Sequence, residues 1–267
     1  SPVVSRPSRP TGKSPLRRRC SGSRSSTVLC RLSSVAVSSP ATIYASTDIS
    51  TITLTHGAGD TPGTVKLDDG QTLSVGEDSY NWIFIPNDGN NYETTTGSIR
   101  LTVYEPPQEV DGVYQIDSVT DLFWFAGLVN GTLENVEQDT AASAVLTADI
   151  DLSGKTWTPI GNYDQSSRPN NKYAGTFDGA GHTIEGLKIE SSADWQGFVG
   201  YLGEGGVIEN LTLGETCSVT GGDYYVGGIC GYNNGGIIES CTNAGTVTGS
   251  NNVGGVCGLS RGTITDC

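Results

Sequence analysis

Three glutamates recur in one local context: Ile184-Glu185-Gly186-Leu187, Ile208-Glu209-Asn210-Leu211 and Ile238-Glu239-Ser240-Cys241. If each segment is one slot in a repeating coil, Glu185, Glu209 and Glu239 line up on an outer face about 5 Å apart, the spacing of paired strands. Like charges at that distance raise one another's pKa or gather a hard cation such as calcium, and at an exposed row water and salt weaken both effects. With Asp149, Asp151 and Asp178 they are the residue types that cleave polysaccharides, either with calcium or as a carboxylate pair roughly 5–9 Å apart. Cations are scarce: after residue 173 only Lys188 and Arg261 are basic. That leaves little to hold or deprotonate an acidic sugar. The row reads first as solvated charge and second as a catalytic or calcium-binding surface. His182, in Asp178-Gly-Ala-Gly-His-Thr-Ile184, falls at a turn entering a strand. No Ser or Cys nearby is placed to use it, so it reads as a structural polar group.

The seven cysteines invite a disulfide or metal reading. Cys230 and Cys257 occupy the slot held by Val199, and Cys241 and Cys267 the slot of Leu187 and Leu211, so they read as small apolar fillers. Cross-coil disulfides are the second reading, because side-by-side Cβ atoms on neighbouring strands stand somewhat farther apart than a disulfide prefers. Zinc needs a close Cys pair, which is absent, and His56 and His182 are remote from the cysteines. There is no Gly-x-Ser-x-Gly elbow and no His-Glu-x-x-His helix. No catalytic, cofactor-binding or metal residue is therefore assigned. Trp195, Tyr224 and Tyr225 fit a sugar or protein contact and fit a core equally well.

The elements that must position these groups come from repetition. The four corners start at Ile184, Ile208, Ile238 and Ile264, spaced by 24, 30 and 26 residues. In each, positions i and i+3 are apolar and i+2 is Gly, Asn, Ser or Asp, residues that tolerate the left-handed backbone needed to turn both apolar side chains inward. A second set, Gly197-Phe-Val-Gly-Tyr201, Gly228-Ile-Cys-Gly-Tyr232 and Gly255-Val-Cys-Gly-Leu259, precedes three of the corners. Such coils bury their inner faces only by stacking, which predicts a β-solenoid, a parallel β-helix, over 110–267. Ser118, with Asp121 three residues on and Leu122, Phe125 and Val129 at helical spacing, predicts a short capping helix over the first coil. An ordinary surface helix is the alternative.

The rest of the chain is made of different material. Residues 1–40 hold eight basic and no acidic groups, whereas 41–267 hold seven basic and 29 acidic. The basic Ser/Pro/Arg-rich segment, with Arg17, Arg18 and Arg19 in a row, is expected to be disordered. Binding of nucleic acid there is disfavoured because no aromatic residue is interleaved. Across the whole chain only 35% of residues are hydrophobic and 37 are glycine, which argues against one thick core and suits a thin column. No apolar run approaches the roughly 20 residues needed to span a bilayer. Between 41 and 105, period-two patterns at Tyr80, Trp82 and Phe84 and at Ile99, Leu101 and Val103 predict paired strands. Thr51–Thr55, Thr64–Leu67 and Thr72–Val75 are expected to complete a small β-sandwich. Tyr80-Asn-Trp-Ile-Phe-Ile-Pro-Asn-Asp-Gly-Asn-Asn-Tyr92 resembles the immunoglobulin-like modules of bacterial surface proteins, and with no cysteine pair it departs from antibody-type domains. Glu105-Pro106-Pro107 reads as a stiff linker.

A further resemblance covers roughly 110–267. Asp121-Leu-Phe-Trp-Phe-Ala-Gly-Leu-Val-Asn-Gly131, Ala148-Asp-Ile-Asp-Leu152, Trp157-Thr-Pro-Ile-Gly161, Tyr173-Ala-Gly-Thr-Phe-Asp-Gly-Ala-Gly-His-Thr-Ile184 and the Gly-Gly-Ile-Cys-Gly repeats look like GLUG-motif proteins. The resemblance implies a bacterial β-helical region, secreted or on the cell surface, of the kind found in adhesin-like proteins and as a non-catalytic part of large proteases. It brings no catalytic residues and no cofactor. The expected function is structural or adhesive, with an extracellular glycan or a host or bacterial protein as partner. Polysaccharide cleavage and service as the passive arm of a surface protease are the alternatives. With no Met and a pattern still repeating at Cys267, the chain is expected to be a fragment.

Overall fold

The computed structural model describes residues 37–38, 43–44, 47–56, 62–90, 92–133, 135–161 and 171–267. The basic segment 1–40, apart from Val37 and Ser38, lies outside the described residues, as do Cys20 and Cys30. The chain divides into two compact units at 103/104.

The first unit is antiparallel. Gly63–Leu67 pairs with Gly76–Pro86, which pairs with Thr95–Tyr104, and Ile43–Tyr44 adds the fourth strand. Val37–Ser38 and Thr55–His56 form a separate two-stranded sheet. The period-two pattern holds: Tyr80, Trp82 and Phe84 are buried on one face, together with Leu101 and Val103. They share a core cluster with Ile43, Ile52, Leu54, Val65 and Leu67. Two expected strands differ. Residues 49–51 form a 3-10 turn, because Asp48 accepts the Ser50 amide at 2.9 Å and caps it. Thr72–Val75 is not a strand, although Leu73 still packs against the core. The described residues contribute six strands here, against seven or more in immunoglobulin sandwiches. The immunoglobulin-like assignment stays a resemblance.

The second unit is a β-solenoid of about five turns with one helix. Its longest ladder runs in parallel through Val113–Ile116, Ser143–Leu146, Thr176–Asp178, Val207–Glu209, Ile237–Glu239 and Thr263–Thr265. A second ladder joins Ile150–Asp151, Thr183–Glu185, Thr212–Leu213 and Thr242–Asn243. A third stacks Lys188–Glu190, Ser218–Thr220 and Thr246–Thr248, and a fourth stacks Val199–Leu202, Cys230–Asn233 and Cys257–Ser260. Tyr224–Gly227 and Asn251–Gly254 make a fifth. The axis is a narrow apolar column: Phe177, Ile184, Leu187, Phe198, Val199, Ile208, Leu211, Leu213, Ile229 and Ile238 are fully buried.

Left-handed corners hold this path. Asn210, Ser240 and Asp266, at i+2 of their segments, have φ of 51°, 52° and 53°, and Gly186 has 68°. The register corrects one expectation. Phe177, Ile208, Ile238 and Ile264 share a position, so coils advance by 31, 30 and 26 residues, while Ile184 pairs with Ile150 and Leu213 in the next ladder. The first of these coils carries two extra residues at its corner, within Gly179-Ala180-Gly181. The look-alike Ile184–Leu187 segment arises because both corners set one left-handed residue between two inward apolar ones.

The helix, Val119–Asn130, begins where its cap predicts. Ser118 Oγ accepts the Asp121 amide at 3.2 Å, and Gly131 ends the helix in left-handed geometry. Leu122, Phe125 and Val129 are fully buried. Phe125 meets the rings of Phe177 and Tyr173 at 6.0 and 6.2 Å, and Asn130 donates to the Pro159 carbonyl and accepts the Gly161 amide, both at 3.0 Å. It thus covers the aromatic mouth of the first coil. Glu109–Val110 folds back antiparallel on Val113–Ile116 and closes the adjoining sheet edge.

Candidate functional site

The acid row exists with different members from those expected. Asp178, Glu209 and Glu239 are directly paired in successive coils, and Thr265 takes the next place. Glu185 instead pairs with Asp151 in the neighbouring ladder. Burial pushes the Glu209 carboxyl up, and the flanking charges of Asp178 and Glu239 push it further. Several carboxylates are tied to corners. Asp178 accepts the Ala180 amide at 2.7 Å and the Asn210 amide group at 3.0 Å. Asp151 accepts the Ser153 amide at 2.8 Å, and hydrogen bonds from Ser153 hold its pKa down. Glu185 accepts the hydroxyl and the amide of Thr216. His182 sits 3.2 Å from Asp149, which also accepts the Thr183 amide at 2.9 Å. This arrangement fits the structural reading of that histidine. Among the described residues no three His, Cys, Asp or Glu side chains form a metal-binding group.

The five described cysteines are free thiols; Cys217, Cys230 and Cys241 are buried, Cys257 is half-buried and Cys267 is exposed. Cys230 and Cys257 stack on Val199 in register, as the sequence suggested. Cys241 follows the position of Leu211, with its amide donating to Cys267 Sγ at 3.4 Å. Leu187 does not belong to that stack; it precedes Lys188 as Cys217 precedes the paired Ser218. Burial pushes the Cys230 thiol up strongly and Cys241 to about 11, so neither is a nucleophile at neutral pH.

Aromatic residues gather along one flank of the coils, with Tyr201 buried and Trp195, Tyr224, Tyr225 and Tyr232 reaching the surface. Trp195 and Tyr225 occupy one corner position in adjacent coils, at φ of 56° and 63°, and Asn252 holds it in the third at 55°. Their rings lie 5.9 Å apart. Tyr225 stacks on Tyr232 at 5.4 Å, Tyr232 meets Tyr201 edge-on at 5.0 Å, and Tyr224 lies 5.8 Å from Tyr225. Lys172 lies 5.3 Å over the Tyr201 ring and Arg261 5.9 Å over Tyr232. Tyr224 is 46% exposed, and Trp195, Tyr225 and Tyr232 are half-buried. None of the four belongs to the inner column, so the reading left open between core and surface resolves toward surface. The sequence did not connect Tyr201, Tyr232, Lys172 and Arg261 with this cluster. The available signal was the shared final Tyr of Gly197–Tyr201 and Gly228–Tyr232, which served only to mark a coil.

A segment starting at Gly222 and ending at Thr248 includes that corner, the Cys230 strand and the Glu239 strand, which together amount to one coil. Residues 222–248 match the GLUG motif. The GLUG segment is thus a single rung of the solenoid, corner to corner. Among curated proteins the chain is similar to Halomucin of Haloquadratum walsbyi, 43% identical over 83 residues, which is 31% of this chain and 1% of that protein. It is also similar to a "Putative Gly-rich membrane protein" of Evansella cellulosilytica, 35% identical over 97 residues, 36% of this chain and 10% of that protein. The chain therefore spans a small part of the length of either relative. No solved structure matches it. Among the described residues, no helix is long and apolar enough to cross a membrane.

Proposed function

We propose that the chain is a non-catalytic part of an extracellular or cell-surface protein, in which the solenoid presents its flank to extracellular ligands in an adhesive role. In this reading residues 41–105 act as an immunoglobulin-like spacer, and 110–267 form the presenting coils. The observation that carries it is the disposition of the carboxylates: Asp149, Asp151, Asp178 and Glu185 are each hydrogen-bonded to corner amides or hydroxyls, and Asp178, Glu209 and Glu239 stand side by side along one row of strands instead of facing each other across a bond. A glycosidase needs two carboxyls facing one bond, with one held protonated. The GLUG rung and the names of the two relatives support a surface setting. The test is incubation of the chain with plant and host glycans, followed by assay for new reducing or unsaturated ends. None should appear. New ends that vanish in Asp178→Ala would establish polysaccharide cleavage instead.

A further inference from the structure

The outer rings of this aromatic column include two at left-handed corners, Trp195 and Tyr225. The left-handed corner costs a bulky L-residue about 1–2 kcal/mol, and Asn pays much less. The same corner accepts Asn252 one coil later. Trp195 and Tyr225 thus hold rings at a place where the fold is satisfied by a small amide. Beside them, Lys172, Tyr201, Tyr232 and Leu259 share one position in four successive coils, a span of about 14 Å at the spacing of paired strands. Residues 171–267 contain three cations against ten acids. Of the three, Lys188 is paired with Glu190 at 3.0 Å, and the other two lie over the tyrosines.

These features select a ligand class. Aromatic faces take up the C–H faces of sugar rings, while hydroxyls need neighbouring polar groups. The strip is edged by the exposed Asn251 and Asn252 and by Asn234, which accepts the Tyr232 hydroxyl at 3.2 Å. Asp194 is held by the Tyr224 amide at 2.9 Å. A polyanion meets a coil surface on which acids outnumber cations ten to three, and is disfavoured. From this geometry we infer that Trp195, Tyr224, Tyr225 and Tyr232 form a binding strip for an extended uncharged polysaccharide, with the buried Tyr201 supporting Tyr232 from the preceding coil. The inference rests on the surface-presentation reading for its setting and adds the site and the ligand class.

The test uses the whole chain with amorphous cellulose, soluble β-glucan and mannan as neutral probes, and polygalacturonate as the anionic one. Binding to at least one neutral probe is expected, unchanged between about 0.05 and 0.5 M salt because no ion pair carries it. Trp195→Asn combined with Tyr225→Asn should weaken binding at least tenfold while thermal unfolding stays intact, since Asn is the residue the third coil already uses. No binding to any neutral probe, binding to polygalacturonate alone, or full binding by the double variant would overturn the site. Release of new sugar ends in the same tubes would instead overturn the non-catalytic reading, so the two failures are told apart.

Discussion

The antiparallel unit and the solenoid bury apolar side chains by different means. In the first, strands of 11 and 10 residues pair along their length, and the pleat alone decides that Tyr80, Trp82 and Phe84 face one shared core. Among the described residues of the solenoid no strand exceeds four residues, too short for the pleat to fix anything by itself. There, direction is set at the left-handed corners, and each side chain meets its counterparts one coil above and below. A sheet core is lost as a cluster. A stacked column is sensitive to where in the stack, and where on the corner, a change is made.

The largest effects should come from the middle of the column. Phe177 touches Phe198 at 4.9 Å and Phe125 at 6.0 Å and is fully buried, so Phe177→Ala should cost about 3–5 kcal/mol in urea unfolding, comparable with Trp82→Ala in the sheet unit. Ile208→Ala, also fully buried, should cost about 2–5 kcal/mol. Ile264→Ala, in the same register but 40% exposed, should cost under about 1 kcal/mol. Equal costs for the two isoleucines would contradict nearest-neighbour stacking.

Corners should respond next. At Ser240, with φ of 52°, Ser240→Gly should stabilise by up to about 1 kcal/mol and Ser240→Val should destabilise by about 1–2 kcal/mol. The same pair of changes at Ser79, in the extended Gly76–Pro86 strand, should have the opposite signs. Thiol chemistry gives a finer reading of depth. Among the five described cysteines, Cys267 should be alkylated first, and Cys230 and Cys241 should react only through opening of the coils, because both are buried and burial pushes their thiols up. Mass spectrometry of a timed alkylation would show the order.

The smallest effect concerns the acid row. Glu209 has a folded pKa raised by burial and by its two acidic neighbours. The folded state therefore binds its proton more tightly than the unfolded state, so ionisation costs stability at neutral pH. That cost is relieved as the pH falls through the carboxylate range. Glu209→Gln should remove this dependence and stabilise at pH 7 by no more than a few tenths of a kcal/mol, since the row is mostly solvated. A destabilised Glu209→Gln would mean that the row is held by a bound cation.

Much of this architecture could be read from residue order. Ser118 with Asp121 located the helix start, the i+2 residues located the corners, and the Val199, Cys230, Cys257 slot gave a correct register. The register of the first corner was not legible. Ile184-Glu-Gly-Leu187 satisfies the same local rule as the true equivalents, and only the inter-coil hydrogen bonds reveal that Phe177 fills the place. Trp195 and Tyr225 were visible as aromatics but not as a column, because their alignment with Tyr201 and Tyr232 depends on how two ladders meet around a corner. In the sheet unit, Thr72–Val75 has strand-forming residues, but it joins no ladder, and the Ser74 amide donates to the Tyr80 hydroxyl instead.

The most direct test of the stacked column is a set of methyl NOEs in the folded chain. Stacking predicts strong contacts between Ile208 and Ile238 and between Ile184 and Leu213. Contact of Ile184 with Ile208 in place of Leu213, or no contact between Ile208 and Ile238, would contradict the coil register on which the corners, the acid row and the aromatic strip all depend.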